Sequence, residues 1–353
     1  MRSRFCGSRV CGTLWTPIKV NLALHVTGRR SDGYHLLDSL VCFSQAGDLL
    51  SYDLPLLRTP HVEKKDVLAP RVATPICPQS DYRYPSHPLP QPPLPMALEL
   101  QEQIVLSITG PFSDSLGNAQ ENLLFQAVDL AREVFLGGAE NWAFSLNKLL
   151  PLASGIGGGS GDAAAALYIL WEQGFLPCTL DALARLVLPL GADIPMCLYG
   201  LAYGQALRAQ GIGEVLTRLD LPTPLALVLV NCGVEIKTPA VFAQIKSCIN
   251  DPLSLPSGGK AFLSVEEMVA FLQKTRNDLY LPALALVPLL DEVLQALEAQ
   301  GACFARMSGS GATCFGIFTN KLAADKAARA IKHACPHWFV QSLMTMAPAN
   351  KKY

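Results

Sequence analysis

Charge is scarce in this chain, since only 16 % of its 353 residues are Asp, Glu, Lys or Arg and the formal net charge is -1. Without an excess of Lys and Arg there is no electrostatic footprint for DNA, RNA or an anionic membrane, so any phosphate site has to be local. No apolar run reaches the roughly 20 residues needed to span a bilayer, and the N-terminus lacks the apolar core of a secretory signal. These absences predict a soluble, cytoplasmic protein with no nucleic-acid or membrane partner. A weak alternative is organelle targeting through residues 1–15, where Arg2, Arg4 and Arg9 occur without an acidic residue; an irregular N-terminus is the plainer expectation. Metal-binding CxxC spacing is missing as well. The eleven cysteines are scattered, and Cys42, Cys197, Cys303 and Cys314 sit in apolar contexts, as reduced core residues do.

What the chain does have is hydrophobic residues, half of the total, and a length beyond the roughly 250–300 residues at which single cores stop growing. We expect two domains, 1–215 and 216–353. Residues 54–97 hold eleven of the 26 prolines, which lack the N–H groups that ladders and helices need. That stretch reads as an inserted surface loop, or else as a ligand for a proline-reading partner. Around it the pattern predicts strands at 18–26, 104–109, 144–150, 227–231 and 314–318, and helices at 122–135 and 288–300.

Three segments carry candidate chemistry. The first is Pro151-Leu-Ala-Ser-Gly-Ile-Gly-Gly-Gly-Ser-Gly-Asp-Ala-Ala164, a glycine loop between a strand and a helix-forming alanine run. Glycines let backbone approach a ligand closely, and a helix N-terminus offers N–H groups and a positive dipole end to a phosphate. The loop has neither the Gly-Lys-Ser/Thr ending of a Walker A motif nor the Rossmann spacing. The second is Met307-Ser-Gly-Ser-Gly-Ala-Thr313, a small-residue turn that could approach a ligand or the first loop. The third is a pair of charges in apolar settings: Asp193 in Gly191-Ala-Asp-Ile-Pro195, and Lys19 on the first strand. A buried carboxylate is costly alone, so if the two meet, each explains the other. Together they could accept a proton from a hydroxyl attacking phosphorus.

In this order the segments resemble the three motifs of the GHMP kinases, named for galactokinase and the homoserine, mevalonate and phosphomevalonate kinases. The stretch Lys19-Val-Asn-Leu-Ala-Leu-His-Val-Thr-Gly-Arg-Arg-Ser-Asp-Gly-Tyr-His35 resembles a branch of that superfamily whose acceptor alcohol carries a cytidine diphosphate group. The resemblance implies an α+β fold of two domains, the first like domain 2 of ribosomal protein S5 and the second ferredoxin-like, with ATP bound between them. It also implies Lys19 and Asp193 as the catalytic pair, with Asp193 as base. Asn21, Tyr34, His35, Thr238 and Phe242 would hold the substrate, Tyr34 stacking on the cytosine. Ser154, Gly155, Ile156, Gly157, Gly158, Gly159, Ser160 and Gly161 would cradle the ATP phosphates, with Asn122 and Lys148 near the adenosine. Mg²⁺ is implied by the reaction type, and the assembly would be a monomer or a homodimer.

The chain departs from the family's pattern at three places. Gly161 stands where a second serine is common, Cys232 replaces a proline, and the proline-rich insert is unusually long. Other readings left open are a GHMP kinase for another alcohol, such as homoserine or mevalonate, and a non-catalytic small-molecule sensor of the same fold.

Overall fold

The structure is a computed structural model of the chain, and it describes residues 2–6, 9–56, 104–113, 122–136, 141–221, 224–255 and 262–348. Most of the proline-rich segment lies outside these residues. Its first two positions close the strand β5 (Leu49–Pro55), where Pro55 is the terminal residue. The N-terminal residues form β1 (Arg2–Cys6) and β2 (Arg9–Trp15). The second of these pairs with β5 along its whole length and buries Val10 and Leu14.

Three sheets form the framework. One has the order β1, β2, β5, β7 (Trp142–Asn147), β6 (Ile104–Thr109), antiparallel except for the parallel pair β6 and β7. The next runs β3 (Ile18–Arg29), β4 (His35–Ser44), β8 (Ala206–Gly211), β9 (Val215–Leu219). The last runs β11 (Phe304–Met307), β12 (Thr313–Phe318), β10 (Ala226–Asn231), β13 (Phe339–Met344).

The helices α1 (Leu123–Leu136), α2 (Gly158–Glu172), α3 (Leu180–Val187) and α4 (Asp193–Tyr203) pack in one apolar cluster with the first sheet and with one face of β4. The other face of β4 meets the last sheet. Side chains alternate along a strand, and Val41 and Phe43 point into the first cluster while Leu40 and Cys42 point into the second. Burial on both faces is why this stretch reads as one unbroken apolar run. Five further helices follow among the described residues: α5 (Thr238–Ala243), α6 (Val265–Gln273), α7 (Tyr280–Leu286), α8 (Leu289–Ala299) and α9 (Lys321–Ala334). Among the described residues no single helix is long and apolar enough to cross a membrane.

Strand β3 is the edge of its sheet, and exposed edges are usually capped in some way. Here its outer edge is filled by loops. The amide of Lys19 donates to Ile156 O (3.0 Å), that of Asn21 to Ser308 Oγ (3.0 Å), that of Leu24 to Arg276 O (3.0 Å), and that of Val26 to Asp278 Oδ2 (2.7 Å). The donors change from odd to even numbers because a bulge between Asn21 and Ala23 inserts one residue opposite β4.

His25 is part of the same seam. It is buried, its Nδ1 lies 2.8 Å from Asp251 O, and its Nε2 accepts from the amide of Arg276 (3.2 Å). An acceptor Nε2 and a donor Nδ1 define a neutral ring. Burial holds the imidazole below its ordinary value, against the pull of the Asp251 hydrogen bond. In the unfolded chain the ring takes up a proton near its usual pKa of about 6.5. The stabilising contribution is therefore complete above that pH and is lost as pH falls. We expect the stability gap between the native chain and His25→Gln, measured by urea unfolding, to shrink from pH 7.5 to 5.5 at up to about 1.4 kcal/mol per pH unit. A gap that does not change with pH would rule this reading out.

Candidate active site

The glycine loop and the small-residue turn meet as the sequence allowed. Ser308 Oγ donates to Gly155 O (3.0 Å), and the amide of Thr313 donates to Ser154 O (3.2 Å). Gly155 has φ +73, and a Cβ there would lie 2.5 Å from Ser308 O and 2.8 Å from Gly311 N. Only glycine allows both the left-handed backbone and that approach. Asn277 fixes the other side of the turn, its Nδ2 donating to Met307 O (2.8 Å) and Gly309 O (2.9 Å).

The loop is shorter than the sequence suggests, because Gly158 already begins α2. Gly157 at its head is left-handed and no side chain caps the helix. The first N–H groups of a helix have no partner within it, and here they open onto a cleft of about 490 Å³ lined by Ser154, Gly155, Gly157, Gly158, Gly159 and Ser160. Two of the expected loop residues do not face that space. Ile156 is wholly buried in the core, and the amide of Gly161 donates within the helix to Gly157 O (2.7 Å). A Cβ on Gly161 would lie 2.4 Å from Pro17 O, so this glycine serves the packing of α2 against the start of β3.

Lys19 and Asp193 do meet: Nζ is 3.0 Å from Oδ2. The pair is asymmetric. Lys19 is buried, whereas the Asp193 side chain, expected to be buried, is 37 % exposed at the first turn of α4. Both line the cleft, together with Asn21, Asn122, Thr238 and Phe242. Lys19 Nζ also donates to Asn21 Oδ1 (3.0 Å). Asn122 caps α1, accepting from the amide of Leu124 (2.9 Å). Thr238 Oγ1 lies 2.8 Å from Ser310 Oγ, joining α5 to the small-residue turn.

Of the expected aromatic group, His35 and Phe242 stack with ring centroids 4.9 Å apart and planes 28° from parallel. Burial, with the Arg29 charge nearby, keeps the His35 ring below its ordinary pKa. Tyr34 does not join the stack and stands 62 % exposed. Cys303 is exposed too, unlike Cys42, Cys197 and Cys314.

Lys148 lines the same cleft and is held between two carboxylates, Asp48 and Asp162. Its ammonium, 2 % exposed, lies 2.5 Å from Asp48 Oδ2 and 2.7 Å from Asp162 Oδ2. Asp48 Oδ1 also accepts from the amides of Leu149 (2.5 Å) and Leu150 (2.8 Å), which fixes the approach to the glycine loop. Burial pushes the Asp162 carboxyl up to about 8, opposed by Lys148 and helped by Asp48. Among the described residues its Oδ1 has no hydrogen-bond partner, and the residue borders the cleft. Asp162 adjoins the loop in sequence and could have been suspected there; Asp48, a hundred residues from its partner, gave no local signal.

The family model for the GHMP kinases N terminal domain matches residues 122–201, and that for GHMP kinases C terminal matches 260–337. A 4-diphosphocytidyl-2-C-methyl-D-erythritol kinase of Bartonella henselae is 44 % identical over 334 residues, 95 % of each chain. One of Brucella melitensis is 40 % identical over 330 residues, 93 % of each. A crystal structure of 4-(cytidine 5'-diphospho)-2C-methyl-D-erythritol kinase superposes with a TM-score of 0.64 at 28 % identity, covering 94 % of this chain and 99 % of that one. The mevalonate kinase of L. major, at 13 % identity and a TM-score of 0.57, shares the two-domain α+β fold alone. Identity of this order along almost the whole length means that the chain belongs to the 4-diphosphocytidyl-2-C-methyl-D-erythritol kinases, a branch of the GHMP kinases.

Proposed function

We propose that the cleft transfers the γ-phosphate of ATP to the 2-hydroxyl of 4-diphosphocytidyl-2-C-methyl-D-erythritol, a step in non-mevalonate isoprenoid synthesis. The observation that carries this is the Lys19–Asp193 pair, 3.0 Å apart in the same cleft as the uncapped N-terminus of α2. The relatives' names supply the acceptor. Homoserine and mevalonate kinases are similar to this chain only at the level of fold.

In this reading the free N–H groups of Gly158, Gly159 and Ser160 hold the phosphates. Asp193 takes the proton of the attacking hydroxyl as its oxygen bonds to the γ-phosphorus, and the bond from phosphorus to the β-bridging oxygen breaks to release ADP. Lys19 offsets the charge that gathers between carboxylate and phosphate. His35, stacked on Phe242, forms a platform that a cytosine can extend, and Tyr34 is free to close over it. Thr238 completes that side, while Asn122 lies toward the adenosine.

A magnesium ion bound with ATP would supply charge neutralisation to phosphoryl transfer. Among the described residues no three His, Cys, Asp or Glu side chains could hold an ion by themselves. The cleft does offer the Ser160 hydroxyl and the unpartnered Oδ1 of Asp162. That sparse oxygen set fits an ion that arrives with ATP and keeps phosphate and water for most of its ligands; Ser160 and Asp162 would hold it.

Radiolabelled γ-phosphate transfer to the cytidylated alcohol tests the reaction. Asp193→Asn should lower kcat by about 10²- to 10⁴-fold with the KM for ATP nearly unchanged; transfer at the native rate would remove Asp193 as base. Phe242→Ala should raise the KM for the acceptor about tenfold, the scale of one lost stacking platform, and leave ATP untouched; a rise in the KM for ATP instead would place the base elsewhere. Gly161→Ser should cost about 1–3 kcal/mol of stability through overpacking against Pro17 without raising kcat. A faster and equally stable variant would show that the missing serine is a catalytic loss.

A further inference from the structure

Ser39, on β4, is 3 % exposed and borders the cleft. Its Oγ lies 2.7 Å from Ala23 O and 2.8 Å from Asn21 Nδ2. A carbonyl can only accept, so the hydroxyl hydrogen goes to Ala23. The lone pairs of the oxygen are then left for Asn21, and the half of the carboxamide that faces Ser39 has to be the NH2. That turns Asn21 Oδ1 toward Lys19 Nζ, 3.0 Å away. An ammonium can only donate, so the two ends of the amide are fixed by independent constraints that agree. Donation runs one way from Lys19 through Asn21 and Ser39 to Ala23 O, and Lys19 donates on its other side to Asp193 Oδ2 at 3.0 Å.

We propose that Ser39 is a positioning residue for phosphoryl transfer: its hydroxyl orients the Asn21 carboxamide, and the carboxamide holds the Lys19 ammonium beside Asp193. The proposal rests on the kinase reading given above. Ser39 itself touches none of the reacting groups. With its hydroxyl gone, the Asn21 amide can turn half a revolution and bring its NH2 against the ammonium. Lys19 then loses its acceptor on the side away from Asp193 and closes on the carboxylate, competing with the substrate hydroxyl for the base.

The test compares Ser39→Cys, which keeps the size but replaces a strong hydrogen-bonding group with a weak one, and Ser39→Thr, which keeps the hydroxyl. With ATP and the cytidylated alcohol saturating, Ser39→Cys should lower kcat about tenfold, the scale of one hydrogen bond, with the KM for ATP within about twofold of native. Ser39→Thr should retain at least about half of native kcat. In an Asn21→Ala background Ser39→Cys should change kcat by less than about twofold, because the effect passes through Asn21. The proposal is overturned if Ser39→Cys costs as much in that background as in the native chain, if Ser39→Thr is as impaired as Ser39→Cys, or if Ser39→Cys is unimpaired. Crystals of Ser39→Cys decide the relay independently of turnover. A rotated Asn21 amide with Lys19 Nζ beyond about 3.5 Å of Oδ1, the hydrogen-bond limit, supports it, and an unmoved pair overturns it. Absence of transfer by the native enzyme would instead sink the kinase reading, and the crystals would still report on Ser39.

Discussion

The unpaired edge of β3 is the constraint on which the rest of the site depends. A buried strand edge cannot leave its N–H groups without acceptors, and here the acceptors are the functional loops themselves. The glycine loop supplies Ile156 O, the small-residue turn supplies Ser308 Oγ, and the segment before α7 supplies Arg276 O and the Asp278 carboxylate. Glycine loop, turn and the 276–278 segment are thus docked on one strand by a requirement of folding, and the same strand carries Lys19 and Asn21 into the cleft beside them. Arg306 reinforces the junction, with Nη1 on Leu22 O (3.0 Å) and Nη2 on Leu272 O (3.0 Å) and Thr275 O (2.7 Å).

Ionic groups around the cleft are handled in two ways. Lys148 is buried between Asp48 and Asp162, where breaking a pair would strand a charge away from water, so the cluster acts as a fixed support beneath the loop. Asp193 is different: at the first turn of α4 it keeps one oxygen on Lys19 and its exposed side open to the cleft. Fixed charges hold the backbone, and a partly open one faces the cleft.

Features carried by short contiguous segments were legible in the sequence. The glycine loop, the turn at 307–313 and the unlikely placing of Lys19 and Asp193 among apolar residues all announced themselves, and the strand before the loop was misplaced by only a few residues. What could not be read depends on contacts between distant segments. The start of α2 at Gly158 is set by packing, since glycines argue locally against a helix. Gly161 looked like a phosphate contact until its closeness to Pro17 was visible. Ser39, Asp48 and Ser308 are ordinary polar residues whose partners lie 16 to 287 positions away. Tyr34 carries the strongest resemblance in its segment, yet it stands apart from the His35–Phe242 stack.

The bulge at Leu22 acts as a phase shift of one residue. Before it, odd positions face the glycine loop and the small-residue turn; after it, even positions face the 276–278 segment. The spacing from Lys19 to Val26 is therefore a counted length rather than a tolerant one. Gaining or losing one residue there would leave every side chain chemically intact while turning half of the strand's donors away from their loops, so the length of this stretch is held as strictly as the identities of Lys19 and Asn21.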